Sequence, residues 1–303
     1  MECLHYFGYF VISHTSDVVW FIHIGALFYV YGTFGVGLLL PWLVFAKDSP
    51  KPLLPPQAAD ATTIRVLGEA SEDKSNGVTW ETSTRIFHDA PWGRFFQSKG
   101  VWAMLLAHCS KNWGLYNTLA WTPTFYAEIY GLGVRDSAWL SLLPSVAGAV
   151  GGLLAGNVAD ALIRHYSSRG EMNEQTLTNV RKLFQSVALF GPALALGTLA
   201  MDIPTDPVVA QCFLMVAVGL QAFTTSGFES ANQEKAGVKW AGLLYSVTSL
   251  PAVMVGTAGV YTVGQILDAT GQDWSIVFGV NAIVNVLGGT AFLALYNSKR
   301  EFD

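Results

Sequence analysis

The chain has 303 residues, of which 51% are hydrophobic and 13% charged, against roughly 25% charged in soluble domains, and its mean hydropathy is +0.38. That balance excludes an ordinary soluble domain, and a net charge of −5 gives no support for a nucleic-acid partner. Cys3, Cys109 and Cys212 are too scattered for a disulfide framework or zinc spacing. No G-x-S-x-G, H-E-x-x-H, P-loop or strand-following glycine fingerprint occurs, which argues against an enzyme and leaves no cofactor to expect.

A helix needs about 20 mostly apolar residues to cross a hydrocarbon core of ~30 Å. Seven runs qualify, at 18–46, 101–127, 137–163, 182–201, 207–228, 241–267 and 274–296, and they predict an all-α, multi-pass membrane helical bundle. Residues 1–46 hold one span and no Lys or Arg, so neither a secretory signal nor a transit peptide is readable there. Residues 47–100 run from KDSPKPLLPP through GEASEDKSNG and predict a cytoplasmic linker. It ends in PWGRFFQSKG, whose alternating aromatic and basic residues suit the membrane surface. A six-helix unit at 101–297 follows, and 298–303 form a tail.

The basic residues test this topology independently. Lys47, Lys51, Arg65, Lys74, Arg85, Arg94, Lys99, Arg164, Arg169, Arg181, Lys182, Lys235, Lys239, Lys299 and Arg300 all fall on one side, whereas the alternate loops carry only Arg135. By the positive-inside tendency, the rich side is cytoplasmic or equivalent to it.

On the third run, Gly148, Gly152 and Gly156 recur every fourth residue and predict a flat stripe for close helix approach. The sixth run carries Pro251 with Gly256, Gly259 and Gly264, which suits either ordinary packing or a sliding, kinked helix.

One basic residue remains. In LLAHCSKNWGLYNTLAW, residues 105–121, Lys111 lies about ten residues, hence roughly 15 Å, inside its span. A lysine cannot snorkel that far, and a lone charge at that depth costs several kcal/mol. Lys111 should therefore face the bundle interior or a wet cavity and have a partner. His108, Asn112 and Tyr116 stand at helical spacings around it and are expected to form one polar, anion-binding stripe with it. The competing reading is a structural buried pair, with His108 a packing residue rather than a proton relay.

Asp160 and Arg164 stand one turn apart where the third run meets the basic side, as either a surface ion pair or a gate latch. Glu229, ending the fifth run near Glu234 and Lys235, is a second gate candidate.

Taken in order, AHCSKNWGLYNTLAWTPTFYAE, LSLLPSVAG with GNVADALI, NVRKLFQSVALFGPALAL, SGF and GQILDATGQDWSIVFG resemble the anion and cation symporter family. That family includes sodium/phosphate cotransporters, vesicular glutamate transporters, sialin and plant plastid phosphate transporters, and is a branch of the major facilitator superfamily. The resemblance spans about residues 24 to 297, and AWTPTFY is nearest the branch from photosynthetic organisms. It implies the C-terminal six-helix half of a major facilitator fold plus one preceding span. It also implies secondary transport of a small anion, inorganic phosphate or an organic carboxylate, with Na+ or H+, in a plastid, other organelle or plasma membrane.

In vesicular glutamate transporters the residue matching Lys111 is an arginine implicated in anion binding, so the charge is kept and the bidentate fork lost. His108 matches a polar position before it. Asp160 with Arg181 and Lys182 matches a cytoplasmic loop of the C-terminal half, which makes them gating candidates. Two departures stand out. GFESANQEKAGVKWAG replaces the family's asparagine, histidine, aspartate and proline-arginine pattern. The family has twelve spans, and this sequence begins near the sixth. Since the site lies between two halves, transport would need a second half-transporter or a second copy; the alternative is a truncated half that is inactive or associates with a complete relative.

Overall fold

A computed structural model describes residues 87–302 and, before them, Thr33, Val36 and Gly37. The predicted first span and most of the predicted linker lie outside the described residues. By its contacts the chain divides into Met1–Val78 and Thr79–Asp303, and the helices that follow belong to the second unit.

They are α1 (Trp92–Gln97), α2 (Lys99–Tyr130), α3 (Val134–Ser168), α4 (Glu174–Met201), α5 (Pro207–Gln221), a 3-10 turn Ala222–Thr225, α6 (Phe228–Thr270) and α7 (Trp274–Leu295). Their ends are written in the sequence. Ser98, Asn173, Asp206 and Asp273 each accept a backbone N–H at the start of α2, α4, α5 and α7, the side-chain capping that orphan N–H groups require. Gly131 and Gly271 close α2 and α6 in the left-handed conformation. Inside α6, Gly237 has φ 65° and ψ −179° and breaks the helix. The crossings on either side are Pro207–Gly237 and Lys239–Thr270.

Five segments are long and apolar enough to cross a membrane: Val134–Ser168, Glu174–Met201, Pro207–Gly237, Lys239–Thr270 and Trp274–Leu295. The described part of the chain is thus an all-α membrane bundle, in agreement with the predicted fold class. The predicted run 101–127 becomes α2, whose 32 residues have the length to span. It is less apolar than the others because buried His108, Ser110, Asn112, Asn117 and Thr122 lie along it, with Lys111 among them.

Contacts link α6 to α2, α2 to α7, α7 to α4, α4 to α5, α5 to α3, and α3 back to α2. Two apolar clusters hold the bundle. One, at the basic end, joins Phe95, Met104, Ala107, Phe228, Trp240, Leu244, Phe292 and Phe302. The other joins Phe125, Tyr126, Leu199, Leu214, Trp274 and Phe278. Between them the polar residues of α2 form a layer of their own. Large apolar side chains such as Leu119, Leu153, Leu194, Leu250, Met254 and Leu287 are exposed, the arrangement of helices bathed in hydrocarbon rather than water.

Two expectations are corrected. The part of residues 47–100 from 87 onward is folded against the bundle instead of linking to it: Phe95 of α1 is fully buried, edge-on to Phe302 with centroids 4.8 Å apart. Within the C-terminal tail, Ser298 and Phe302 are buried. The glycine stripe on α3 is also different. The buried face of α3 runs through Pro144, Gly148, Gly151, Ala155 and Ala159: Gly148 and Gly151 meet α5, where a Cβ on Gly151 would overlap the Gly219 backbone, Ala155 and Ala159 pack with Val180 and Phe184 of α4, and Gly156 has nothing within 4 Å. The buried seam mixes a step of three with steps of four, as the 3.6-residue turn demands, so a strict every-fourth-residue row drifts off it. The sixth-run glycines serve close packing: Gly256 meets Tyr116, Gly259 meets Trp113 and Gly264 meets Trp121.

Candidate functional site

Lys111 stands twelve residues, or about 18 Å, along α2 from Lys99. Its ammonium donates to Glu229 Oε1 at 2.6 Å, and the two side chains are 21% and 23% exposed. The pair links α2 to the first turn of α6, 118 residues apart in sequence. Lys111 lines a cleft of about 320 Å³ walled by α2, α3, α5 and the 3-10 turn. Thr118, Ser141, Ser145, Gln221, Thr224 and Thr225 supply its polar lining, and Leu115, Pro144, Gly148 and Val218 the apolar part. Ser141, Thr224, Thr225 and Gln221 already donate to Ser137, Gln185, Ala222 and Lys111, so the Lys111 ammonium with the Thr118 and Ser145 hydroxyls is the set that can bind an oxyanion by charge-assisted and neutral hydrogen bonds.

The other predicted binding residues lie elsewhere. His108, Asn112 and Tyr116 do share a face, but it is the face that packs on α6. His108 is buried, hydrogen-bonded through Nδ1 to Thr248 Oγ1 at 3.3 Å, with its ring against Phe228 and Tyr245. Asn112 is buried, and its carbonyl and the Tyr116 ring bracket Gly256. On a helix, residue 111 turns 100° from 112 and shares its face with 115 and 118. The structure therefore turns Asn112 and Tyr116 away from Lys111, while His108, three residues before it, packs against Phe228 and Tyr245 of α6.

Among the predicted gating residues, Arg181 is buried. It donates from Nε to Glu234 Oε2 at 3.0 Å, from Nη2 to Glu234 Oε1, and from Nη1 to the Ser226 carbonyl at 2.6 Å. This fork ties α4 to α6 at the basic end. Lys182, its neighbour, is half-buried and makes no ion pair among the described residues. Asp160 and Arg164 are both exposed and make no ion pair among the described residues. Glu229 is the partner of Lys111.

Sequence reasoning missed Lys235. It is fully buried, and its ammonium donates to the Asn297 carbonyl (3.2 Å), Asn297 Oδ1 (3.0 Å), the Lys299 carbonyl (3.1 Å) and Glu301 Oε1 (2.8 Å). Arg94 Nη2 donates to the Glu301 carbonyl at 2.6 Å, and Ser298 bonds with Thr178 of α4. The C-terminal segment is thereby strapped across the basic end over α1, α4 and α6. The only available signal was a basic residue followed two places later by Gly237 inside a helical pattern.

The sequence model of the Major Facilitator Superfamily matches residues 6–259. The chain belongs to that superfamily. It is 29% identical over 291 residues to probable anion transporter 5, chloroplastic, of Oryza sativa subsp. japonica, covering 92% of this chain and 59% of the relative. It is 30% identical over 263 residues to the ascorbate transporter, chloroplastic, of Arabidopsis thaliana, covering 87% and 44%. To sialin of Homo sapiens it is 30% identical over 267 residues, covering 88% and 50%. The chain spans about half the length of the curated relatives it matches. These matches agree with the resemblance to the anion and cation symporter branch.

Proposed function

We propose that the chain acts in secondary active transport of small anions, inorganic phosphate or an organic carboxylate, coupled to Na+ or H+, and that Lys111 is its anion contact. The observation that carries the reading is an ammonium group, about 18 Å along α2, that lines a cleft of about 320 Å³ with the Thr118 and Ser145 hydroxyls. A charge there is tolerated only with an opposite charge beside it, and a mobile anion meets that need as well as a fixed carboxylate does. The printed names of the relatives, an anion transporter, an ascorbate transporter and sialin, support the same substrate class.

In this reading the Arg181–Glu234 fork and the Lys111–Glu229 pair are the contacts that part as α6 moves, which makes Arg181 and Glu229 gating residues. Asp160, Arg164 and Lys182 have no bond of this kind to break. Cargo would be enclosed by a second six-helix half, from a longer form of this chain, a second copy or a relative. Two of the three relatives are named chloroplastic, which supports a plastid membrane as the place of action.

The test is uptake of radiolabelled phosphate or gluconate into proteoliposomes holding the chain with its second half. Lys111→Ala should lower uptake at least tenfold, since an uncompensated Glu229 would then repel the cargo, and Lys111→Arg should retain most of it. Equal uptake by Lys111→Ala would remove Lys111 from the role.

A further inference from the structure

Asn117, in the polar layer of α2, is 4% exposed and short of partners. Its Nδ2 donates to Asn281 Oδ1 of α7 at 3.4 Å. The neighbour fixes the direction of that bond. Asn281 Nδ2 already donates to the Val277 carbonyl at 2.8 Å, so Asn281 must turn its oxygen to Asn117, and Asn117 must answer with its nitrogen. The Asn117 oxygen is left with no protein partner. Both amides line a cavity of about 30 Å³ between α2, α4, α5 and α7, together with Thr118 and Thr122. The Thr122 hydroxyl gives its proton to the Thr118 carbonyl at 2.6 Å. The Trp121 and Trp274 indole N–H groups in the wall donate to the Val260 carbonyl and to Glu128. Apart from the Thr118 hydroxyl, what the wall still offers is acceptor oxygen.

We propose that this cavity is a binding site for about two water molecules, and that they orient the Thr118 hydroxyl toward an anion in the neighbouring cleft. The second part rests on the transport reading above. A buried acceptor without a donor is costly, so the site calls for an occupant that donates. One water needs about 10–15 Å³ of such space and two to four polar partners. The cavity has room for two. Asn117 Oδ1, the second lone pair of Asn281 Oδ1 and the two threonine hydroxyls are their partners. A monovalent cation would also satisfy lone pairs, but no charged side chain among the described residues lines the cavity. Glu128 is exposed, and Lys111 stands six residues, or about 9 Å, back along α2. An ion stripped of its water there would feel a like charge and no counter-charge. A neutral donor fits where a cation does not.

Thr118 joins the two spaces, since it lines both the cavity and the Lys111 cleft. A threonine hydroxyl has one proton and two lone pairs. A cavity water that donates to Thr118 Oγ1 fills a lone pair and leaves the proton for the cleft. It also strengthens that donation, because chained hydrogen bonds polarise one another. An oxyanion in the cleft then meets the Lys111 ammonium and a hydroxyl already turned toward it.

The experiment is radiolytic hydroxyl-radical labelling of the purified full chain, in which bound water supplies the radical to the side chains beside it. Phe125 lines the cavity and is 1% exposed, whereas Phe292 is 0% exposed and lies outside it. In wild type Phe125 should label severalfold faster than Phe292. Equal labelling of the two would show a dry cavity and overturn the proposal, and that comparison needs no variant. Asn117→Leu should bring Phe125 down to the rate of Phe292 while exposed Trp139 labels as before; labelling of Phe125 that persists in this variant would also overturn it. Repeating the wild-type measurement in sodium chloride and in choline chloride tests the cation, and saturable protection of Phe125 by Na+ would overturn the assignment to water. For the link to the cleft, affinity for inorganic phosphate should fall about two- to tenfold in Asn117→Leu and in Thr118→Val, the net worth of one hydrogen bond, with Phe125 labelling kept in Thr118→Val. Wild-type affinity in either variant would overturn the link. If Lys111→Ala binds phosphate as wild type does while Phe125 still labels, the transport reading fails and the water site stands.

Discussion

Lys235→Ala is expected to destabilise the detergent-solubilised protein more than any other single substitution of a described polar residue. The ammonium is fully buried and meets four acceptors on residues 297–301. Removing it leaves two backbone carbonyls facing the space it filled and the Glu301 carboxylate, 26% exposed, without its cation. Breaking a buried ion pair from one side costs about 3–5 kcal/mol, and the partial exposure of Glu301 puts this pair at the lower end of that range. A drop of many degrees in the thermal midpoint, followed by tryptophan fluorescence, is the expected result. Removing residues 297–302 from the alanine variant should cost little more, since lysine and strap act as one unit and their effects should not add. An unchanged midpoint for Lys235→Ala would show that the strap does not hold the basic end together.

The second large effect belongs to Gly151→Ala. The new Cβ would lie 2.8 Å from the Gly219 carbonyl carbon and 3.1 Å from its Cα, and nearer still to the carbonyl oxygen. Those are backbone atoms of α5 and cannot swing aside as a side-chain tip would, so α3 and α5 must separate along the seam. Overpacking of this kind costs about 1–3 kcal/mol. Separation would also widen the cleft, which both helices wall, and anion binding should weaken in step with stability. Gly156→Ala is the matched control. Nothing lies within 4 Å of its Cβ, and replacing a helical glycine by alanine favours the helix by up to about 1 kcal/mol. Equal stability of the two variants would contradict the seam through Gly148, Gly151 and Ala155.

Much of this architecture was readable from local chemistry. Apolar runs, capping residues and the distribution of Lys and Arg depend on neighbours in sequence, and they located five crossings and the basic end. Lys111 was legible as a buried charge in need of a partner, since depth and cost follow from helix geometry alone. The identity of that partner was not, because Glu229 is brought to Lys111 only when α6 packs on α2. His108, Asn112 and Tyr116 share a face that packs on α6: helical spacing says which side chains point together, not which helix they meet. The Arg181–Glu234 fork and the Lys235 strap were hidden for the same reason. Acceptors on residues 297–301 give no sequence signal, and an exposed surface lysine has the same letter as a buried one.

The pieces form one electrostatic scheme. Arg181 with Glu234 and Lys235 with Glu301 neutralise charge at the basic end and fix α4, α6 and the C-terminal segment. Lys111 with Glu229 is the pair that borders an open cleft, and so it is the pair a mobile anion can reach.

Whether that cleft binds an anion through Lys111 is decided most directly by equilibrium binding of phosphate to the purified chain at pH 6, comparing wild type, Lys111→Arg and Lys111→Ala, with each variant's thermal midpoint recorded alongside. Saturable binding in wild type, retained within a few-fold by arginine and weakened at least a hundredfold by alanine at an unchanged fold, is the predicted result. The same affinity in all three proteins would contradict it.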